Sequence, residues 1–296
     1  QQEKLVRQMI ERGIDTKTAN EIWELFPPFA RYGFNRSHSA AYAMISYQTA
    51  YLKAHYPVEF ATSLLNVSGS DVDRITFLIS EVRRLGIQVL FPDVNQSFED
   101  FTVDAVSGKR AVRFGLFKVK NLGVNIVREI IENRRQKGPY ANLADFFARI
   151  QHRDMNKKSL ESLVKSGALD SFGIRRSELI GNLDELLRFN QAAKKLASSN
   201  QSGLFGSSIS SSSLQLREVP DVGTPKILAW EKELLGLYLT DHPFYPFLEH
   251  PKVKKLAISI RDLRAAPPNG GMSGKVVIAG IITALQRILT KNGETL

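Results

Sequence analysis

The residues best suited by type and spacing to do chemistry are Gly115-Leu-Phe-Lys-Val-Lys-Asn-Leu-Gly-Val-Asn-Ile-Val127. A short helix is expected to stop at a tight turn, Asn121-Leu122-Gly123, and a second helix to begin at once. This is a helix-hairpin-helix. The turn calls for residues that tolerate positive φ, which glycine does freely and asparagine better than most. Asn121 stands where the motif usually has its first glycine. Unpaired N–H groups at the start of the second helix, backed by its dipole, form a cradle for phosphate. The expected phosphate-binding set is Lys118, Lys120, Asn121, Leu122, Gly123, Val124, Asn125 and Arg128. Such contacts grip the sugar-phosphate backbone and read no bases.

The charge around this segment strengthens the reading. The 296 residues carry a net charge of +10, and Lys109 to Lys137 alone hold nine cations against Glu129 and Glu132, a net +7. A basic field of this density draws polyanions and speeds their encounter. Asn156 to Gly167, Ala168-Leu169 and the helix after Arg175 repeat the layout more loosely, with a less basic turn at Ser166-Gly167-Ala168. Two such units pack as one module facing both strands of a duplex.

The remaining chemistry is bounded by what is missing. With no cysteine in the chain, disulfides, thiolate zinc sites, iron–sulfur clusters and a cysteine nucleophile are excluded. A reducing cytoplasm fits. The five histidines never fall three or four residues apart, so no helix presents a two-histidine metal face. Asp71-Val72-Asp73 has the spacing of a magnesium-binding pair, but it follows Ser68-Gly69-Ser70 at a helix start, where acidic side chains cap free N–H groups. No apolar run approaches the ~20 residues of a membrane-spanning helix.

The elements that must position these residues are mainly helical. Leu5, Met9 and Ile10 begin one amphipathic stretch; Ala19, Ile22, Trp23 and Phe26 form a second, expected to stop at Pro27-Pro28. Helices are expected over Ser39–His55, after Asp71, and over Val124–Arg135, Leu143–Ile150, Lys157–Ser166 and Arg175–Ala197. Tyr47 and Tyr51 are read as core. Ile87–Phe91, Phe101–Asp104 and Ala111–Phe114 look extended, with Ser107-Gly108 turning a hairpin. Nine of the sixteen residues from Ser198 to Ser213 are serine, a composition that makes a linker. Lys275–Leu289 alternates like a strand and turns at Lys291-Asn292-Gly293.

Inside the serine linker stands Gln201-Ser202-Gly203-Leu204-Phe205. Two large apolar residues in a solvated segment have reason to be there if they dock. The pentapeptide resembles the short segment that bacterial proteins insert into the sliding clamp, an interaction of about micromolar strength.

Tyr32-Gly-Phe-Asn-Arg-Ser-His-Ser-Ala-Ala-Tyr-Ala43 and Ser46-Tyr-Gln-Thr-Ala-Tyr-Leu-Lys-Ala-His-Tyr-Pro57 make the resemblance specific. They look like the fingers of the C-family replicative DNA polymerases. Leu90-Phe-Pro-Asp-Val-Asn95, the hairpin, Ser166-Gly-Ala-Leu-Asp170, the clamp-type peptide and Leu237-Tyr-Leu-Thr-Asp-His-Pro243 follow in that family's order. The resemblance implies a mainly α, multi-domain fragment. Residues 1–108 are the end of the fingers, 109–197 the tandem hairpin domain, 198–225 the linker, 226–274 a connector, and 275–296 the start of an OB-type β domain.

It also implies that Asn35, Arg36, Ser37, His38 and Tyr42 lie beside the nascent base pair. There Arg36, where the family commonly has lysine, meets the triphosphate. The expected partners are primer–template duplex, the sliding clamp and other replicase subunits, with no membrane. Mg²⁺ and deoxynucleoside triphosphates belong to the parent polymerase, whose palm carboxylates lie upstream, so the fragment itself is expected to need no cofactor and to be inactive. The rival reading is a free-standing tandem-hairpin scaffold of a repair pathway, which leaves the fingers residues unaccounted for.

Overall fold

The computed structural model describes residues 2–32, 36–69, 71–198, 214–265 and 276–282. They divide into two compact units, 1–60 and 61–296. The chain opens with α1 (Gln2–Glu11), α2 (Thr16–Tyr32), α3 (Arg36–His55) and α4 (Pro57–Val67). Asp15 caps α2 by accepting the Thr18 amide at 3.0 Å. Contrary to expectation, Pro27 and Pro28 lie inside α2 and do not end it. Proline's fixed φ is itself helical, so the pair removes two donors without forcing the backbone out of the helix. Pro57 does separate α3 from α4, and begins the latter.

In the second unit Asp71 caps α5 (Val72–Arg84), its Oδ1 accepting the Arg74 amide at 3.0 Å. The carboxylate of the Asp-x-Asp pair is thus doing capping work. Three strands follow, β1 (Gln88–Leu90), β2 (Thr102–Val106) and β3 (Lys109–Arg113), in the order β1-β3-β2. β2 and β3 form the expected hairpin, with Val106 opposite Lys109 and both turn residues, Ser107 and Gly108, at positive φ. β1 pairs with β3 in parallel.

The core of this unit lies among α6 (Val124–Lys137), α7 (Leu143–Arg149), α8 (Lys157–Lys165), α9 (Arg176–Gly181) and α10 (Leu183–Ser198). Ile126, Ile130, Phe146, Phe147, Leu160 and Leu163 are fully buried there. Ile126 and Ile130, Leu160 and Leu163, and Phe146 and Phe147 with Leu143 before them fall at three- and four-residue spacing, the apolar stripe that makes each helix dock. The helix expected over Arg175–Ala197 is broken at Asn182. That side chain donates to the Glu178 carbonyl and exchanges bonds of 2.9 and 3.0 Å with the backbone of Arg217. Beyond the linker, α11 (Gly223–Leu235) buries Leu228, Trp230 and Leu234, and short helices α12 (Tyr245–Leu248), α13 (Pro251–Leu256) and α14 (Ile260–Ala265) follow. Residues 276–282 make a single parallel bridge, Val277 to Ala257; residues 283–296, with the Lys291–Gly293 turn, lie outside the described residues. The mainly helical fold is as the sequence predicts.

Candidate nucleic-acid interface

The hairpin is built from a one-turn 3-10 helix at Leu116–Lys118, the turn, and α6. Gly115 enters it under compulsion: a Cβ there would stand 2.4 Å from the Asp100 carbonyl carbon. Leu116 and Val119 are buried and anchor the first arm. Asn121 adopts φ 66°, the left-handed conformation expected of the turn. Gly123 does not: at φ −72° and ψ 151° it is an extended N-cap, and no side chain caps the helix behind it. Asn121, Gly123, Val124 and Asn125 are exposed and Leu122 is half-buried. The first amides of α6 therefore open outward, with the helix dipole behind them.

The cations divide into two groups. Lys118, expected to flank the cradle as a loose charge, is instead tied down. Its Nζ lies 3.1 Å from Asp100 Oδ1 and donates to the Gly69 carbonyl at 3.2 Å, leaving the side chain 16% exposed. Arg113 bonds Asp104 and the Phe91 carbonyl. Arg134 donates to the carbonyls of Val94 and Ser97, and burial pulls its pKa below the ordinary guanidinium value. Lys109, Lys120, Arg128 and Lys137 are exposed and make no ion pair among the described residues. Lys120 and Arg128 are the two that belong to the hairpin itself.

The second, looser hairpin is closed. Ser166, Gly167, Ala168 and Leu169 are all buried. Gly167 has φ 85°, and a Cβ on it would stand 2.3 Å from Arg176 Nη2 and 2.9 Å from Asp170 Oδ2. The Arg176–Asp170 pair, at 2.6 Å, packs directly against this turn. Arg176 also lies over the Phe91 ring and 3.7 Å from Glu231, which is wholly buried. Glu231 accepts the amides of Leu239 and Thr240 and the Thr240 hydroxyl. Val94 donates to the Ala168 carbonyl, and Asn95 exchanges two bonds with the backbone of Tyr140. Leu90–Asn95, Ser166–Asp170 and Leu237–Pro243 are thereby joined in one buried polar network.

In the first unit Arg36, Ser37 and His38 stand exposed in the first turn of α3, and Tyr42 is 60% exposed with its ring 4.4 Å from that of His38. Asn35 lies outside the described residues, as do Gln201, Ser202, Gly203, Leu204 and Phe205. Tyr47 and Tyr51, expected in the core, are exposed. The apolar residues of α3 are spread around the helix rather than gathered on one face, so they define no buried stripe. A cleft of about 1120 Å³ lies elsewhere, between α5, β1 and the Leu237–His242 strap. Sequence reasoning overlooked Asp154, whose carboxylate approaches the hairpin turn from the α7–α8 loop; nothing in its local spacing marks it.

Residues 86–179 match a helix-hairpin-helix motif family. The chain is similar to the DNA polymerase III alpha subunit of Thermus aquaticus, 40% identical over 296 residues, covering 98% of this chain and 23% of that protein. The corresponding subunit of Borreliella burgdorferi is 37% identical over 98% of this chain and 25% of its own length. That of Pasteurella multocida is 35% identical over 100% of this chain and 25% of its own. The chain spans about a quarter of the length of these relatives.

Proposed function

We propose that this chain, aligned along nearly its whole length with one stretch of DNA polymerase III alpha subunits, works as part of such a replicative polymerase and holds duplex DNA by its backbone. The observation that carries this is the exposed Asn121–Asn125 turn, with no side-chain cap on α6 and with Lys120 and Arg128 free beside it. The gripping element is one hairpin, not two, since the second turn is packed against by Arg176 and Asp170. Residues 109–197 act as the duplex-holding module. Arg36, Ser37, His38 and Tyr42, with Asn35, contribute the fingers surface toward the incoming nucleotide; the exposure of Arg36, Ser37, His38 and Tyr42 supports this reading. Gln201–Phe205 tethers the assembly to the sliding clamp.

The carboxylates that hold Mg²⁺ for nucleotidyl transfer belong, in this reading, to the remainder of the longer protein. Asp71 is spent on its helix. A free-standing repair scaffold accounts for the hairpin alone, whereas the similarity extends across 98% of the chain.

The test is duplex binding by the full chain, followed by fluorescence anisotropy across a salt series with DNAs of unrelated sequence. Lys120→Ala with Arg128→Ala should weaken binding equally for every sequence. It should also flatten the slope of log K against log salt by about 0.9 per lost phosphate contact, so about 2 in all. An unchanged slope removes the hairpin from the account.

A further inference from the structure

The loop between α7 and α8 delivers a carboxylate to the mouth of the open hairpin. Asp154 Oδ2 lies 3.9 Å from where a Cβ on Gly123 would stand. The same oxygen is 3.5 Å from Asn125 Nδ2. It is held there by its own loop. The Asp154 amide donates to His152 Nδ1 at 3.1 Å, the Met155 amide to the His152 carbonyl, and the Asn156 amide to the Asp154 carbonyl. Asn156 then caps α8.

Little nearby offsets this charge. His152 Nδ1 accepts the Asp154 amide at 3.1 Å and lies 3.5 Å from Asp154 Oδ2. Arg153 Nε is 3.8 Å from Asp154 Oδ1, but its side chain is 84% exposed, a pairing that water largely screens. A fixed anion beside helix amides that face outward competes, by like-charge repulsion, with any phosphate approaching them.

We propose that Asp154 sets the affinity of the hairpin for duplex DNA, acting as a resident anion that keeps the grip weak enough to release. The inference rests on the reading of the Asn121–Asn125 turn as a phosphate cradle and adds to it the residue that limits it. A segment that must let duplex pass through needs contacts that are broken as readily as they are made. Asp154 supplies that without removing a single cation.

The experiment measures duplex binding by the full chain at low and high salt. Asp154→Asn keeps the size and an oxygen that can accept the hydrogen bond from Asn125, and removes the charge. It should tighten binding by about three- to tenfold at low salt, and the gain should shrink as ionic strength rises. Asp154→Ser should tighten binding likewise, and Asp154→Glu should retain the original affinity. An Asp154→Asn protein that folds normally but binds no more tightly overturns the proposal. Lys120→Ala with Arg128→Ala, measured in parallel, separates the two ideas. If that pair weakens binding while Asp154→Asn leaves it unchanged, the cradle stands and the limiting role of Asp154 falls. If neither changes binding, both fall together.

Discussion

Asn121 carries the turn's backbone strain alone. Its φ of 66° falls where a β-branched side chain is disfavoured and glycine is at ease. Asn121→Val should therefore cost about 1–2 kcal/mol of stability in urea unfolding, while Asn121→Gly should be close to neutral. Asparagine at this position was readable in the sequence as turn chemistry. The division of labour was not: Gly123 looked like a second left-handed residue and is an extended cap. The fate of Lys118 was equally hidden. Its partner Asp100 lies on the far side of the β2–β3 hairpin, and only the fold brings the two together. A run of cations shows in a sequence as charge; which of them remain free is decided by carbonyls and carboxylates distant along the chain.

Among the elements, the two hairpins differ by what packs against them. In the second, Arg176 and Asp170 pack against the turn, with the wholly buried Glu231 behind Arg176. Removing Glu231 leaves Arg176 paired with Asp170 but strips the Leu239 and Thr240 amides and the Thr240 hydroxyl of their buried acceptor. Glu231→Ala should cost about 3–5 kcal/mol in chemical denaturation, without changing the salt slope of DNA binding. Most helices were legible because apolar residues at three- and four-residue spacing betray a buried face, as Ile126, Ile130 and Leu160, Leu163 do. The break at Asn182 was not, because it depends on Arg217, 35 residues further along the chain. Nor was the passage of α2 through Pro27-Pro28, where a strong local signal was overridden. The order of motifs along the chain was readable; that three of them meet in one buried network was a matter of folding.

For the molecule as a whole, the proposed function joins two weak attachments on one chain. A peptide of about micromolar affinity and a backbone grip reinforce each other through effective concentration when the linker spans both sites. Leu204→Ala with Phe205→Ala should abolish pull-down by the sliding clamp while leaving duplex binding of the chain itself unaltered. Retained pull-down would return the pentapeptide to the role of spacer.

The turn proposed to face the duplex is also wired inward. The Lys120 amide donates to the Leu234 carbonyl at 2.9 Å, satisfying one of the end carbonyls of α11. The next turn of chain, Gly236, lies so close to α5 that any side chain would strike Val72. Turn, α11 and α5 are thus tied together by one hydrogen bond and one close backbone approach.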